Sequence, residues 1–394
     1  MGPLRDVRVL DASRVLAGPF CGQVLGDLGA EVIKVERPGT GDETRTWGPP
    51  FVGPLSAYFL SCNRNKKSIT LDLAQAAGVA VFAELVHRSD VLLENFRADS
   101  AAKLGLSPEK LLQVNPRLVV CSISGFGRTG PMRDAPGYDF AIQALSGLMS
   151  ITGPVEGPPS KVGVAVTDVL TGLYAAIAVL ACLHARQTSG HGYAIDLALL
   201  DCAVAAQVNV AQAYLCSGQV PPRQGNAHLQ IVPYQLFATA DGWLVLAVGN
   251  DGQWQKFCAA AGRPDLASDP RFTTNPLRVQ NREILVPLIE QVMRGRPTEQ
   301  WREILEAAGV PHAPVWSYAE LFASPQAEAR GLRLTVRDPE GNPVDLIGSP
   351  FHIQGVELPK PLHPPRLSQD TQEVLNWLGL SDERIAELRR QGVV

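Results

Sequence analysis

The chain has 394 residues, a net charge of −4 and 45% hydrophobic residues, which supports one or two folded domains and excludes a disordered protein. This mixed, weak charge gives no reason to expect binding to nucleic acid or to a membrane surface, so local basic residues must hold any anionic ligand. The seven cysteines are scattered without a Cys-x-x-Cys pair and the histidines lack metal-ligand spacing, which predicts a reducing, cytoplasmic location and no metal site.

The first half of the chain alternates short apolar runs with helical patterns. It opens on a strand-like segment, so we expect no secretory leader. Strands are predicted at residues 7–10, 31–36, 91–94 and 118–123, and helices at residues 20–28, 76–87 and 108–113. Strands that alternate with helices predict an α/β fold with a Rossmann-like, mostly parallel sheet covered on both faces.

An apolar helix follows at residues 169–186. Its most apolar stretch, residues 169–183, is shorter than the roughly 20 residues that span a bilayer, so we expect a buried core helix. Another apolar segment, residues 194–214, leads to a linker rich in glycine and proline.

The pattern changes after the linker. Runs at 234–239 and 243–248 flank the turn Ala240-Asp241-Gly242 and predict a hairpin, with helices at 252–261, 278–293 and 298–308. We therefore predict four segments: a large α/β domain at 1–216, a linker at 217–233, a small α+β domain at 234–325, and a return segment at 326–394. The return segment contains a proline-rich tether at 354–365 and a last helix capped by Ser381, and it completes the large domain.

The sequence lacks the motifs of several enzyme classes. No Gly-x-Gly-x-x-Gly follows the first strand, which argues against a dinucleotide dehydrogenase. The sequence also has no P-loop motif, and it has no Gly-x-Ser-x-Gly nucleophile turn, which argues against an α/β-hydrolase.

Asp168 is the most informative single residue, because it lies between an apolar approach and the apolar helix. One interpretation is a helix cap, for which aspartate is favoured. The other is a covalent nucleophile, because a helix N-terminus stabilises a carboxylate and is expected to keep it ionised, starting from a pKa of about 3.9. The two interpretations are compatible.

The order of several short motifs resembles the class III coenzyme A transferases, the family of formyl-CoA transferase and carnitine CoA-transferase. The matching pieces are residues 9–19, 26–39, 41–42, 63–68, 94–96, 124–127, 137–139 and 167–168. The likeness covers essentially the whole chain. Residues 44–52 and 231–235 place it nearest the branch of succinyl-CoA:glutarate transferases.

The resemblance implies that Asp168 is the nucleophile and that two ring-like chains interlock as a homodimer. By position, the family's CoA contacts fall on Leu16, Ala17, Arg37, Leu71, Asn95, Phe96, Lys103, Tyr138 and Asp139. Formyl-CoA transferase has a glutamine at the position of Leu16, so we do not expect formyl or oxalyl specificity.

The implied reaction moves CoA from an acyl-CoA, with succinyl-CoA expected as the donor, to a free short-chain carboxylate or dicarboxylate through an aspartyl-CoA thioester. Coenzyme A is then a substrate, and no prosthetic group is expected. Arg45 or Arg223 is a candidate partner for a remote substrate carboxylate. The amides of Gly249 and Gly252 are candidate oxyanion or lid donors, or belong to an ordinary turn.

Two other functions remain open on the sequence. An α-methylacyl-CoA racemase has the same fold but needs a second acid/base group, and that family has histidine where this chain has Tyr138. A CoA-binding module without activity is the third possibility, which the presence of Asp168 disfavours.

Overall fold

The structure, a computed structural model, describes residues 2–394 and divides into two compact units. The large unit comprises the chain up to Ser146, Val162–Val208 and Gln326–Val394, and the small unit comprises Gly147–Lys161 and Asn209–Pro325. Residues 147–161 and 209–216, assigned from the sequence to the large domain, group with the small unit, as does the predicted linker at 217–233.

Strands and helices alternate through most of the first half of the chain. The strands are β1 (Arg8–Asp11), β2 (Glu31–Glu36), β3 (Phe51–Val52), β4 (Leu55–Ser56), β5 (Lys66–Thr70), β6 (Val91–Glu94), β7 (Val119–Ser124), β8 (Tyr193–Ala198), β9 (Tyr234–Ala238), β10 (Trp243–Ala247), β11 (His312–Pro314), β12 (Arg333–Arg337) and β13 (Pro343–Ile347). The α-helices are α1 (Ala17–Asp27), α2 (Ala57–Cys62), α3 (Ala76–His87), α4 (Ala98–Lys103), α5 (Pro108–Val114), α6 (Asp139–Leu145), α7 (Leu148–Ile151), α8 (Val166–Ser189), α9 (Leu199–Ala205), α10 (Val208–Ser217), α11 (Asp251–Ala260), α12 (Pro264–Ser268), α13 (Asn275–Gln280), α14 (Arg282–Met293), α15 (Thr298–Ala307), α16 (Tyr318–Ala323), α17 (Pro325–Ala329), α18 (Thr371–Trp377) and α19 (Asp382–Arg390). A 3₁₀ helix spans Glu43–Thr46.

The large unit is built on a six-stranded sheet in the order β5-β2-β1-β6-β7-β8, with every neighbouring pair parallel. This confirms the predicted parallel sheet. The strand order runs outward from β1 in both directions, so the winding reverses between β1 and β6. In doubly wound sheets such a reversal leaves a crevice at the carboxyl ends of the two strands.

Both faces of this sheet are apolar, because apolar residues stand at consecutive strand positions and successive side chains point to opposite sides. Leu10 and Leu92 face a core that includes α3, α5, α18 and α19. Val9 and Val91 face a second core that includes α1 and α8. The two helices α1 and α8 therefore lie together on one face of the sheet.

The sequence did not predict β5 and β8. Lysines are rarely buried in strands, but in β5 the Lys66 ammonium is buried and donates to Asp11 at 2.8 Å and to Asn63 at 2.9 Å. Strand β8 lies inside the segment 194–214, whose continuous apolar character hides the break between β8, α9 and α10. Short apolar runs do not distinguish strand from helix by periodicity alone.

Helix α8 has 24 residues, so it starts earlier and ends later than predicted. By length and composition alone it could cross a membrane, which corrects the expectation that it is too short. In the structure it packs with α1 against the sheet, and Ala175, Ala176 and Val179 are buried there. This packing is typical of the core helix of a folded domain.

The small unit contains an antiparallel sheet in the order β11-β10-β9. The hairpin of β9 and β10 matches the predicted one. Trp254 and Trp301 are fully buried between this sheet and the helices of the unit. The helix predicted at 278–293 is two helices that meet at Asn281.

The C-terminal segment returns to the large unit. Strands β12 and β13 form a hairpin that the sequence did not predict, and residues 354–365 contain no helix or strand. Ser381 caps α19, as predicted, by accepting a hydrogen bond from the N–H of Arg384. The N–H of Ser68, in edge strand β5, donates to Asp370 at 2.7 Å, just before α18.

Gly172 allows α8 to approach α1 closely. A Cβ atom at this position would lie 2.7 Å from the Ala17 carbonyl oxygen, a backbone atom that cannot move without the first turn of α1. We predict that Gly172→Ala lowers the free energy of unfolding by about 1–3 kcal/mol through overpacking, measured by urea titration. Gly163→Ala is the control, because a Cβ there meets nothing within 4 Å. An equal, small effect of both substitutions would show that the two helices do not approach this closely.

Candidate active site

A cavity of about 310 Å³ opens in the large unit at the carboxyl ends of β1, β6 and β7. This is the edge at which the strand order reverses. Its lining residues are Arg14, Val15, Leu16, Ala17, Glu43, Asn95, Phe96, Arg97, Asp99, Ser122, Ile123, Ser124, Gly125, Gly127, Arg128, Arg133, Asp134, Ala135, Pro136, Gly137, Tyr138, Asp168 and Leu199.

The loop between β1 and α1 has a strained residue next to the cavity. Val15 has a φ of 71°, a left-handed conformation that β-branched residues rarely adopt. Its N–H donates to the Asp42 carboxylate at 3.2 Å. Lys34 Nζ lies 3.0 Å from the same carboxylate, and both of these charged side chains are fully buried. A fixed, buried ion pair therefore holds the loop in its strained form.

Asn95 holds the preceding residue of this loop. Its Nδ2 donates to the Arg14 carbonyl at 2.9 Å, and its Oδ1 accepts from the Arg14 N–H at 3.0 Å. Together with Asp42, this contact fixes the backbone that leads into Leu16 and Ala17, where α1 begins.

Asp168 is the third residue of α8, and its carboxylate faces the cavity without a cationic partner among the described residues. Burial, and to a smaller extent the negative charge of Asp139, raises the pKa of Asp168 from its ordinary value of 3.8 to about 7. The sequence predicted an ionised carboxylate stabilised by the helix. That prediction is wrong in the direction of the pKa shift, because burial and the charge of Asp139 raise the pKa.

The capping role belongs to Asp139 rather than to Asp168. Asp139 Oδ1 accepts hydrogen bonds from the N–H and the hydroxyl of Thr167, at 2.8 and 2.7 Å. Its Oδ2 accepts from Gln143 at 2.7 Å. Asp139 therefore satisfies the first turn of α8, which leaves the Asp168 carboxylate unused by the fold.

Asp168 differs from the other carboxylates that line the cavity. Glu43, Asp99 and Asp134 each pair with an arginine that also lines it, at 3.1, 3.4 and 3.3 Å respectively. A desolvated, unpaired carboxylate with a raised pKa is typical of a reacting group.

Sequence analysis did not single out Tyr58 in α2. Burial, followed by the charge of Asp168, raises the pKa of Tyr58, so its phenol remains a hydrogen-bond donor at neutral pH. The Tyr58 ring packs edge-on against Trp47, with centroids 5.1 Å apart. Asp168 lies far from Tyr58 in the sequence, so no local pattern indicated that the two side chains interact.

The structure brings one part of the predicted CoA site together around Asp168. The predicted residues that line the cavity are Leu16, Ala17, Asn95, Phe96 and Tyr138. Tyr138 is 65% exposed, and Phe96 is the second residue after β6. This places exposed aromatic surface beside the carboxyl edge of the sheet.

The other predicted CoA contacts lie outside the lining of this cavity. Arg37 is exposed just after β2, Leu71 is buried just after β5, and Lys103 is exposed at the end of α4. Asp139 holds α8 as described above.

The candidate substrate residues are engaged elsewhere. Arg45 is buried, donates to both oxygens of Glu36 and reaches the Pro365 carbonyl, so its guanidinium stabilises the fold and is not free for a substrate. Arg223 donates to two backbone carbonyls of the small unit.

The glycine segment of the small unit forms the start of a helix. The Gly249 N–H donates to the Gln253 side chain at 2.7 Å, and Gly252 lies inside α11. This geometry is that of an ordinary strand-to-helix turn.

The chain is similar to known proteins over essentially its whole length. The family model described as CoA-transferase family III matches residues 4–371. Succinyl-CoA:glutarate CoA-transferase of Homo sapiens is 42% identical over 393 residues, which covers 100% of this chain and 90% of the human protein. Succinate–glutarate CoA-transferase of Agrobacterium fabrum is 44% identical over 384 residues, 95% of each chain. The crystal structure of a CAIB/BAIF family protein from Brucella suis has a TM-score of 0.84 at 42% identity, and covers 96% of this chain and 99% of that one.

The raised pKa of Asp168 predicts that the folded protein becomes less stable as the pH rises. Below about pH 4 the folded and unfolded chains both hold the Asp168 proton, and between about pH 4 and 7 only the folded chain keeps it. Rising pH therefore destabilises the wild type relative to Asp168→Asn, by at most about 4 kcal/mol above pH 7. We expect thermal unfolding to show equal midpoints at pH 4 and a higher midpoint for the variant at pH 8.

Asp201→Asn is the control for this measurement, because Asp201 lies in the first turn of α9 but is exposed. Its midpoint difference from the wild type is expected to stay nearly constant between pH 4 and 8. A wild type more stable than Asp168→Asn at pH 8 would contradict the desolvated carboxylate.

Proposed function

The chain belongs to CoA-transferase family III and is a CoA-transferase, and we propose that it moves CoA from succinyl-CoA to glutarate or a similar short dicarboxylate. The observation that carries this proposal is the desolvated, unpaired carboxylate of Asp168 in the cavity at the carboxyl edge of the sheet. The two curated relatives at 42% and 44% identity, whose names contain both acids, support the choice of substrates.

In the proposed first half-reaction, Asp168 acts as the nucleophile. A carboxylate oxygen attacks the thioester carbonyl of the donor, the C–S bond breaks, and a mixed anhydride and the CoA thiolate form. The thiolate then attacks the aspartyl carbonyl, which releases succinate and leaves an aspartyl-CoA thioester. The acceptor carboxylate repeats these steps in reverse and leaves as its CoA thioester.

The pKa of about 7 suits this role. A carboxylate that has lost its hydration shell is more basic, and at neutral pH a substantial fraction remains ionised. The anhydride hydrolyses in contact with water, so a partly enclosed site protects it. The Tyr58 phenol is a neutral donor beside this charge and can stabilise an oxyanion without neutralising the nucleophile.

We propose a homodimer, as the family resemblance implies. Apolar side chains remain exposed along helices of this chain, among them Leu173 and Ile177 of α8 and Leu215 of α10. A second copy that covers them would remove an unfavourable contact with water. The mass in solution, from sedimentation equilibrium, tests this assembly.

Transfer of labelled CoA tests the proposed function directly. With succinyl-CoA and glutarate we predict formation of glutaryl-CoA. We predict that Asp168→Ala lowers its rate by at least about 10³-fold, because every other carboxylate among the described lining residues is paired with an arginine. Asp134→Ala, which removes a lining carboxylate paired with Arg133, is the matched control and should have a far smaller effect.

The same preparation distinguishes a transferase from a racemase. In deuterated water a racemase exchanges the α-hydrogen of a chiral 2-methylacyl-CoA, whereas we predict negligible exchange. Exchange at turnover rates without formation of glutaryl-CoA, or an Asp168→Ala variant within tenfold of wild type, would refute the proposal.

A further inference from the structure

A dicarboxylate substrate brings a second negative charge into the cavity. Besides the carboxylate that reacts, its remote carboxylate must leave bulk water, which costs free energy unless a cation receives it. The cationic side chains among the described lining residues are four arginines, Arg14, Arg97, Arg128 and Arg133, without a lysine or a histidine. A cationic partner for the remote carboxylate in this lining is therefore one of these four arginines.

Three of the four arginines lie in the solvent. The side chains of Arg14, Arg97 and Arg133 are 51%, 71% and 62% exposed, and each pairs with an exposed carboxylate close by. Pairs of this kind are weak because water screens them and the side chains remain mobile.

Arg128 is held differently. Its Nη2 lies 2.5 Å from Oε1 of Glu94, and the side chains are 25% and 1% exposed respectively. The second oxygen of Glu94 accepts the Phe96 N–H at 2.8 Å, so the carboxylate itself is fixed at the end of β6. Glu94 engages Nη2 and leaves Nη1 and Nε, for which the described residues supply no hydrogen-bond partner.

The backbone under Arg128 is also fixed. Its N–H donates to Asp196 at 2.9 Å, and the Gly127 N–H donates to the Ser124 hydroxyl at 2.9 Å. Gly125 packs tightly on Gly137, and a Cβ atom added to Gly125 would lie 2.6 Å from the Cα atom of Gly137. The arginine therefore projects from a rigid wall, which lowers the entropy lost when it binds an anion.

On the basis of the proposed dicarboxylate transfer, we propose that Arg128, oriented by Glu94, binds the remote carboxylate of the dicarboxylate in both half-reactions. A planar guanidinium with one edge fixed by a buried carboxylate presents its free donors in one direction, which suits a second carboxylate. Succinate and glutarate share this remote carboxylate, and a monocarboxylate of the same length lacks it. Arg128 thus selects dicarboxylates rather than speeding the chemical step.

The test compares glutarate with pentanoate as acceptors, with succinyl-CoA as the donor in both. The readout is the ratio of kcat/KM for the two acceptors, measured on one preparation so that the fraction of folded enzyme cancels. Arg128→Gln should lower this ratio by about 10- to 100-fold, the range for a charge-assisted hydrogen bond. Arg128→Lys keeps the charge but lacks the planar, forked guanidinium, so it should lower the kcat/KM ratio by a smaller factor. This second variant tests the proposal even if Arg128→Gln folds poorly.

Arg133→Gln is the matched control, since it removes a lining arginine that is exposed, and its ratio should change much less. A ratio that stays the same in Arg128→Gln and Arg128→Lys would overturn the assignment. So would a loss that appears instead as weaker use of succinyl-CoA relative to succinyl-pantetheine, because Arg128 would then bind a phosphate of CoA. A wild type that forms no glutaryl-CoA would refute the proposed function itself, whereas normal wild-type transfer with an unchanged ratio refutes only the role of Arg128.

Discussion

The desolvation of one carboxylate, Asp168, is the constraint on which the site depends. An aspartate in the first turn of a helix ordinarily has a stabilised charge, yet burial and the nearby charge of Asp139 raise its pKa to about 7. Asp139 satisfies the helix start, and the described residues give Asp168 no cationic partner, so no opposite charge compensates its half-buried carboxylate in the resting protein. Reaction with a thioester would convert this charge into a neutral acyl group, which is a physical reason for its reactivity.

The surroundings of this carboxylate are fixed by buried ion pairs beneath the sheet edge. Lys34 with Asp42 and Lys66 with Asp11 are fully buried pairs, in which Lys34 lies inside β2, Lys66 begins β5 and Asp11 ends β1. Buried pairs of this kind contribute little net stability compared with an apolar core, but removing one partner is costly. Here Asp42 accepts the N–H of the left-handed Val15, and Lys66 donates to the Pro19 carbonyl in the first turn of α1. The two pairs therefore fix the backbone beside the cavity.

Much of the parallel sheet could be predicted from the sequence, because β1, β2, β6 and β7 are apolar runs separated by helical patterns. The charged strand β5 could not, since its lysines become compatible with burial only through partners elsewhere in the chain. Asp168 was identified as a nucleophile from its position and from the family resemblance, but the direction of its pKa shift was wrong. That direction depends on burial and on Asp139, which the sequence does not place beside it.

The roles of individual arginines also could not be predicted from the sequence. Arg45 belongs to a motif shared with the family, yet it forms a buried pair with Glu36. Arg128 follows the Ser124–Gly127 motif directly, and only the folded chain brings it to the buried Glu94. Local motifs thus locate the segments around the cavity, while tertiary ion pairs decide which charges remain available to a ligand.

The most direct test of the central claim is to trap the covalent enzyme. The protein is incubated with succinyl-CoA in the absence of an acceptor, digested, and the peptide that contains Asp168 is analysed by mass spectrometry. A CoA thioester on Asp168, discharged as glutaryl-CoA when glutarate is added, is the predicted result. Transfer at the wild-type rate with no adduct on Asp168, or with the adduct on another residue, would contradict the assignment of this carboxylate as the nucleophile.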